Sequence, residues 1–355
     1  MKQAETQVRG MPSTRVVDCF LFFQELDLLE IRLRYLNEAV DKFVVVEACQ
    51  TFTGVSKGFV FEENIDRYRD YLGKIAYLKI EDAHDSYESV IGHLTRREDK
   101  GVLSKIKQRM EEHQHYDKTK LYYVLDTYHR ECINIALAEL DIQDTDLVMI
   151  SDLDEIPSLG AITRARIAGI TEKPLVLKQK EFSYYLDYYK NADWLGTNIG
   201  AYGLIKGLSL NTLRIDSKSK QRLIEKAPVE NGGYHFTTCG SIDMIKRKIA
   251  SWAHQEFNNS YVTDRLETNI RTGQDLFMRN VGTVFARVRL SDREIYDEKM
   301  GLILKDYPEL LSPKEIEYVQ SSLAKLAIRK LRLNLRRLWQ KSKTLTSQIR
   351  SAITQ

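Results

Sequence analysis

Three carboxylates, Asp152, Asp154 and Glu155, close a short apolar run, Leu147 to Ile150, and Pro157 follows them. The run reads as a buried strand, which the proline stops because it brings no N–H to a ladder. Alternate side chains of an extended segment share a side, so this spacing puts Asp152 and Asp154 together. Two carboxylates facing one way repel unless something positive lies between them. A hard divalent cation answers that need, and a diphosphate can supply its remaining oxygen ligands. The predicted metal site is therefore Mn²⁺ or Mg²⁺ on Asp152 and Asp154, with Glu155 as a direct ligand, a ligand through water, or a brace for the loop. The competing reading is a solvated acidic turn, the commoner meaning of a bare Asp-x-Asp.

Elements that would position these groups can be read on both sides. Val16 to Phe23, Phe43 to Ala48 and Lys74 to Ile80 are predicted strands, and Glu25 to Val40 carries Leu26, Leu29, Leu33 and Leu36 at helical spacing. A strand, a helix and a strand this close together form a βαβ unit with a parallel sheet. Thr119 to Leu140 is predicted as one helix packed on that sheet, and its Arg130 is placed to reach a phosphate. Between them, residues 84–118 are polar and hold four of the seven histidines, His84, His93, His113 and His115. A solvated helical insertion is the expectation there, with a metal cluster as the alternative.

Further on, Leu159 to Ala168 is a predicted helix and Leu175 to Phe182 a strand. The strand runs into Tyr184, Tyr185, Tyr188, Tyr189 and Trp194, which suit either sugar rings or core packing. Gly232 and Gly233 precede a short aromatic strand containing His235, and are expected to let backbone approach a ligand closely. Ile245 to Phe257 is predicted helical. From Pro313 a leucine face is flanked by basic residues, with no acidic residue between Lys325 and Lys343. Such a segment can lie on an anionic membrane or fold back on the core.

Composition sets the outer bounds. The 355 residues carry a net charge of only +3, which gives no reason to expect nucleic acid as a partner. No apolar run approaches the roughly 20 residues that span a bilayer. Cys19, Cys49, Cys132 and Cys239 are scattered, as expected for reduced thiols in the cytoplasm. Residues 1–14 are polar and predicted to be a disordered tail, 15–312 the folded domain, and 313–355 a basic amphipathic appendage that contacts the inner face of the membrane.

Several segments together resemble glycosyltransferase family 17. They are Asp18 to Glu25 followed by Leu26 to Leu33, Val44 to Ala48 with Thr51 to Gly54, Ile150 to Pro157, Gly232 to Phe236, Lys248 to Glu256, and Gly273 to Arg279. The resemblance spans about residues 16 to 280 and departs from the family pattern at Tyr234, where tryptophan is usual. It implies an α/β, GT-A-like, Rossmann-type nucleotide-diphospho-sugar transferase with a mixed, mainly parallel sheet. It also implies an inverting transfer from a nucleotide-sugar donor, UDP-N-acetylglucosamine above all, to a glycan or glycolipid hydroxyl. Inversion needs a base, for which Glu256 and Asp275 are the candidates, Glu256 ahead because it closes a motif with His254, and His235 next. His235 or His254 would complete the metal or phosphate shell. Donor contacts are expected at the carboxyl ends of the first two strands, at Phe22, Glu25 and Glu47. Two other classes also use such residues: a metal-dependent phosphoryl or nucleotidyl transferase, and a non-catalytic glycan-binding protein.

Overall fold

Runs rich in valine and aromatic residues form the strands, and the computed structural model joins them in one sheet. It describes residues 14–97, 101–170, 172–216, 224–277 and 285–313, and the side chains of 191 and 192 are set aside. The expected tail up to residue 13 and the basic segment Lys325–Lys343 lie outside the described residues.

The strands are β1 (Val16–Phe22), β2 (Lys42–Ala48), β3 (Ile75–Ile80), β4 (Leu147–Asp152), β5 (Glu155–Pro157), β6 (Leu175–Tyr184), β7 (Tyr188–Ala201), β8 (Ala227–Cys239) and β9 (Ala286–Arg287). Their order is β3-β2-β1-β4-β7-β6-β8-β5, with β9 beside β7. The first four run parallel, β7 is antiparallel to β4 and β6, β6 and β8 are parallel, and β5 is antiparallel to β8. This is the predicted α/β, GT-A-like architecture, with a Rossmann-type parallel half extended by a mixed half.

Strand alternation explains why the sheet has two cores. Phe20, Phe43, Val45, Leu147 and Met149 face one layer, which the helix Leu26–Leu36 covers with Leu29, Leu33 and Leu36. Their neighbours Cys19, Val44, Val46, Val148 and Ile150 face the other layer. There the expected single helix over 119–140 is two, Leu121–Glu131 and Ile133–Glu139, broken at Cys132. The polar stretch 84–118 forms the helices Tyr87–Arg96 and Val102–Glu112, and their Val90, Leu94, Ile106 and Met110 are buried in this second core.

The paired glycines have a different use from the one expected. Gly233 sits at φ +132°, and a Cβ there would stand 2.2 Å from the Ile156 carbonyl and 2.6 Å from the Ser158 nitrogen. This close approach to the backbone around β5 lets β8 carry that three-residue strand, while a Cβ on Gly232 would meet Leu177 of β6 at 2.6 Å.

Sheet topology places the site. The chain leaves β1 for β2 and β3 on one side, then returns with β4 on the other, so the carboxyl ends of β1 and β4 flank a topological switch point. Asp152 ends β4 beside Leu21 of β1. Arg32, fully buried on the helix Leu26–Leu36, fixes the turn that follows. It forks onto Asp18 at 2.6 and 2.8 Å and reaches Ser151 Oγ at 2.6 Å. It also donates to the carbonyls of Asp152, Leu153 and Glu155 at 3.0, 2.9 and 3.0 Å.

Arg32→Ala leaves Asp18 charged and without this partner in the core. The expected cost is about 3–5 kcal/mol, measured as a lower urea midpoint. Arg32→Lys keeps the charge but not the planar fork, and is expected to recover only part of the loss. A cost below about 1 kcal/mol for the alanine variant would show that the turn is held by other means.

Candidate active site

Asp152 is met by two arginines. Arg214, on the short helix Leu210–Asp216, donates through Nε to both carboxylate oxygens at 3.0 and 2.9 Å, and Nη2 joins them. Arg130 Nη2 lies 2.9 Å from Asp152 Oδ1 and 3.1 Å from Asp126, four residues earlier on its own helix. Arg130 is almost fully buried, and its Nε and Nη1 have no hydrogen-bond partner among the described residues. Burial alone would lower the Arg214 pKa, but the charges of Asp152, Asp126 and Glu155 outweigh it and raise it.

Asp154 faces Lys248 instead, with Nζ 2.9 Å from Oδ2, while His235 Nε2 stands 3.7 Å from Oδ1. The same ammonium is 3.0 Å from Glu25 at the end of β1, so one cation joins the two carboxyl ends of the switch point. Burial opposes charge on both partners, yet the charges of Asp154 and then Glu25 raise the Lys248 pKa, and the Lys248 charge leaves that of Glu25 lowered. Glu155 is turned inward and fully buried. Its oxygens accept from Trp194 Nε1 at 2.7 Å and the Asp152 amide at 3.1 Å. These two bonds tie the loop to β7 and to the end of β4. Trp194 in turn stacks on His235, with centroids 4.5 Å apart.

Taken together, Asp126, Asp152, Asp154, Glu155 and Glu25 set five carboxylates against the three cations Arg130, Arg214 and Lys248. The hard oxygen donors of Asp152 and Asp154 are of the kind that hold a divalent cation.

The family model of Glycosyltransferase family 17 matches residues 4–91 and 93–281, most of the chain. The chain belongs to glycosyltransferase family 17. It is thus a glycosyltransferase, which sets aside the nucleotidyl-transferase and non-catalytic readings. No curated protein matches its sequence. Among solved structures, it is similar to a 4-diphosphocytidyl-2C-methyl-D-erythritol synthase at 11% identity, covering 61% of this chain and 89% of that one, with a TM-score of 0.29. It is also similar to a mannosyltransferase from Pyrobaculum calidifontis in complex with GDP-Man and Mn²⁺. There the identity is 9%, the coverage 93% of this chain and 88% of that one, and the TM-score 0.32.

The remaining sequence candidates of the glycosyltransferase fall in different places. Glu25 lies at the site, whereas Phe22 and Glu47 are buried in the core. Phe22 packs edge-on against Phe61. Glu47 accepts from Lys57, the Val60 and Phe61 amides and the Tyr77 hydroxyl, which anchors the loop after β2. His254 and Glu256 pair with each other at 2.9 Å on the surface, and His254 rests against Tyr123. Tyr123 and Arg130 are seven residues apart on one helix face, so this pair sits about two turns, roughly 10 Å, along from the Asp152 end. Asp275 is buried, 4.0 Å from Lys190, which itself bonds Glu181 at 2.8 Å. Tyr184 and Tyr188 belong to a third apolar cluster, so core packing accounts for them, while Trp194 lines the site.

Sequence reasoning missed Arg214, Asp126 and the bridging role of Lys248. Lys248 stood inside a quoted motif, but nothing in its spacing marks it as a counter-ion. Lys248→Met is expected to cost about 2–4 kcal/mol at neutral pH, because it leaves Glu25 and Asp154 facing each other. The folded pKa of Glu25 is depressed, so its contribution is present above its unfolded value and lost as pH falls through the lower folded one. The gap in Tm between wild type and variant should thus be wide at pH 7 and narrow below about pH 4. A gap independent of pH would refute the ion-pair account.

Proposed function

We propose that the enzyme transfers N-acetylglucosamine, with inversion, from UDP-N-acetylglucosamine to a hydroxyl of a glycan or glycolipid. The observation that carries this reading is the convergence of Asp152, Asp154 and three cations at the switch point, where open α/β sheets bind nucleotides. When bound there by Asp152 and Asp154, Mn²⁺ or Mg²⁺ would supply Lewis-acid stabilisation of the departing diphosphate.

The chain's own residues do the rest. Arg130 is already aimed at the site, and its partnerless N–H groups suit a phosphate oxygen, which would relieve the cost of burying them. Arg214 and Lys248 hold the two aspartates apart and fix their directions. Trp194, stacked on His235, offers an aromatic face to a sugar ring. Glu256 is the base: its carboxylate is 48% exposed and open to an acceptor hydroxyl, whereas Asp275 is buried beside Lys190. His254 orients Glu256 by their shared hydrogen bond.

A thermal-shift panel of nucleotide sugars, each with and without Mn²⁺, tests donor and metal together. The expected result is a shift with UDP-N-acetylglucosamine that grows with the ion. Asp154→Asn should reduce turnover by orders of magnitude with little change in Tm. Glu256→Gln should lose about 10²–10⁴-fold in turnover while donor affinity is kept, and Asp275→Asn should not. Near-normal turnover in Asp154→Asn sinks the metal assignment, and in Glu256→Gln it moves the base to Asp275 or His235.

Among the described residues no helix is long and apolar enough to cross a membrane. A lipid-linked acceptor would instead be met through the basic segment Lys325–Lys343, each charge contributing about 1 kcal/mol near an anionic leaflet. Co-sedimentation with anionic vesicles at low salt should be lost in a chain ending at Ser312. Equal binding by both chains would exclude the segment as the contact.

A further inference from the structure

A second group of donors converges away from the acidic turn. Asp82 and His84 follow β3, and His93 lies on the helix Tyr87–Arg96. His84 Nε2 is 2.6 Å from Asp82 Oδ2, and His93 Nε2 is 3.9 Å from the same oxygen. One ligand atom from each lies within 4.8 Å of the others, and among the described residues this is the one trio of histidine, cysteine or acidic side chains that does so.

The trio is held as metal ligands are held. Gln50 clamps the His84 backbone from both sides, accepting from its amide at 2.6 Å and donating to its carbonyl at 2.9 Å. His84 Nδ1 lies 2.9 Å from Ser89 Oγ. Nε2, 2.6 Å from Asp82 Oδ2, donates to that carboxylate; a bound dication would take the place of this proton, with Nδ1 then donating to Ser89. The Tyr128 hydroxyl donates to Asp82 Oδ2 at 2.7 Å and fixes the carboxylate. The 3.9 Å between His93 and Asp82 is too long for a hydrogen bond. The edge of a tetrahedral zinc site, about 3.3 Å for bonds of about 2.0–2.1 Å, falls between this 3.9 Å and the 2.6 Å from His84 to Asp82, so side-chain shifts of about 0.6–0.7 Å would bring the three onto one ion.

We propose that Asp82, His84 and His93 form a binding site for a transition-metal dication of the zinc class. Two imidazoles and one carboxylate favour Zn²⁺ over Mg²⁺ or Mn²⁺, so the site differs in selectivity from the all-oxygen pair at Asp152 and Asp154. Three protein ligands leave a fourth position for water, and Asp82 and His93 both retain solvent contact. The ion would tie the end of β3 and the helix Tyr87–Arg96 to Tyr128. That residue lies on the helix Leu121–Glu131, which carries Arg130 into the active site.

The test uses the full chain, stripped of metal with a chelator and titrated with Zn²⁺ against a chromogenic competitor. One Zn²⁺ per chain and a raised Tm are expected. His93→Gln should weaken binding by more than the roughly 10–100-fold that loss of an outer-shell partner costs. Asp154→Asn should bind Zn²⁺ as the unaltered chain does. Full affinity in His93→Gln would place the ion elsewhere, for example at His113 and His115, and overturn the proposal, as would failure of the unaltered chain to bind one equivalent. Should His93→Gln not fold, Co²⁺ in the unaltered chain decides. Intense visible bands of a four-coordinate ion with nitrogen ligands are expected, and the weak spectrum of six-coordinate aqueous Co²⁺ overturns it.

Discussion

The guanidinium of Arg32 is the point on which the site depends. It lies where solvent does not reach, so its charge is tolerable only because Asp18 meets it with both oxygens. The remaining donors then have to be satisfied by the main chain, and the carbonyls of Asp152, Leu153 and Glu155 are what lies within reach. A buried ion pair thereby dictates the path of the turn after β4. The need to pair one charge in the core becomes the geometry of two carboxylates at the switch point.

Around that turn the protein balances charge in separate compartments. Asp152 belongs to the two arginines from the helical layer, and Asp154 to a lysine shared with Glu25 at the start of the helix Leu26–Leu36. Glu155, next after Asp154 in sequence, is withdrawn to Trp194 and the Asp152 amide. Three neighbouring acids therefore have three environments, and each environment comes from a different element. Like charges within one short turn are kept from acting as a single patch, and each aspartate keeps its own direction.

Much of this was legible in the sequence because periodicity reports burial. The valine-rich runs of β1, β2 and β4 are buried on both faces and read as strands, and the acidic cluster marks the end of one of them. Long-range pairing left no such trace. Asp18 and Arg32 stand inside the segment that carries the family resemblance, yet nothing in one dimension says that they meet. Arg214 lies on a seven-residue helix too short for a pattern. Cys132 breaks a helix without glycine or proline, so the interruption was invisible. Glu47 obeys the rule about strand ends and still belongs to the core, because the rule cannot tell an acid that faces a crevice from one that closes a loop.

The backbone from Asp152 to Glu155 is bonded from every side. Arg32 takes three of its carbonyls, the Phe236 amide takes that of Asp154, and Thr197 adds a bond to that of Glu155. Its conformational entropy is lost when the protein folds and not when a ligand arrives. A ligand arriving at the turn therefore meets carboxylates carried on a backbone that is already ordered, and the free energy of the encounter is not diminished by ordering it. Whatever adjustment binding requires is left to the long side chains of Lys248 and Arg214, which can move without disturbing the strand ends beneath them.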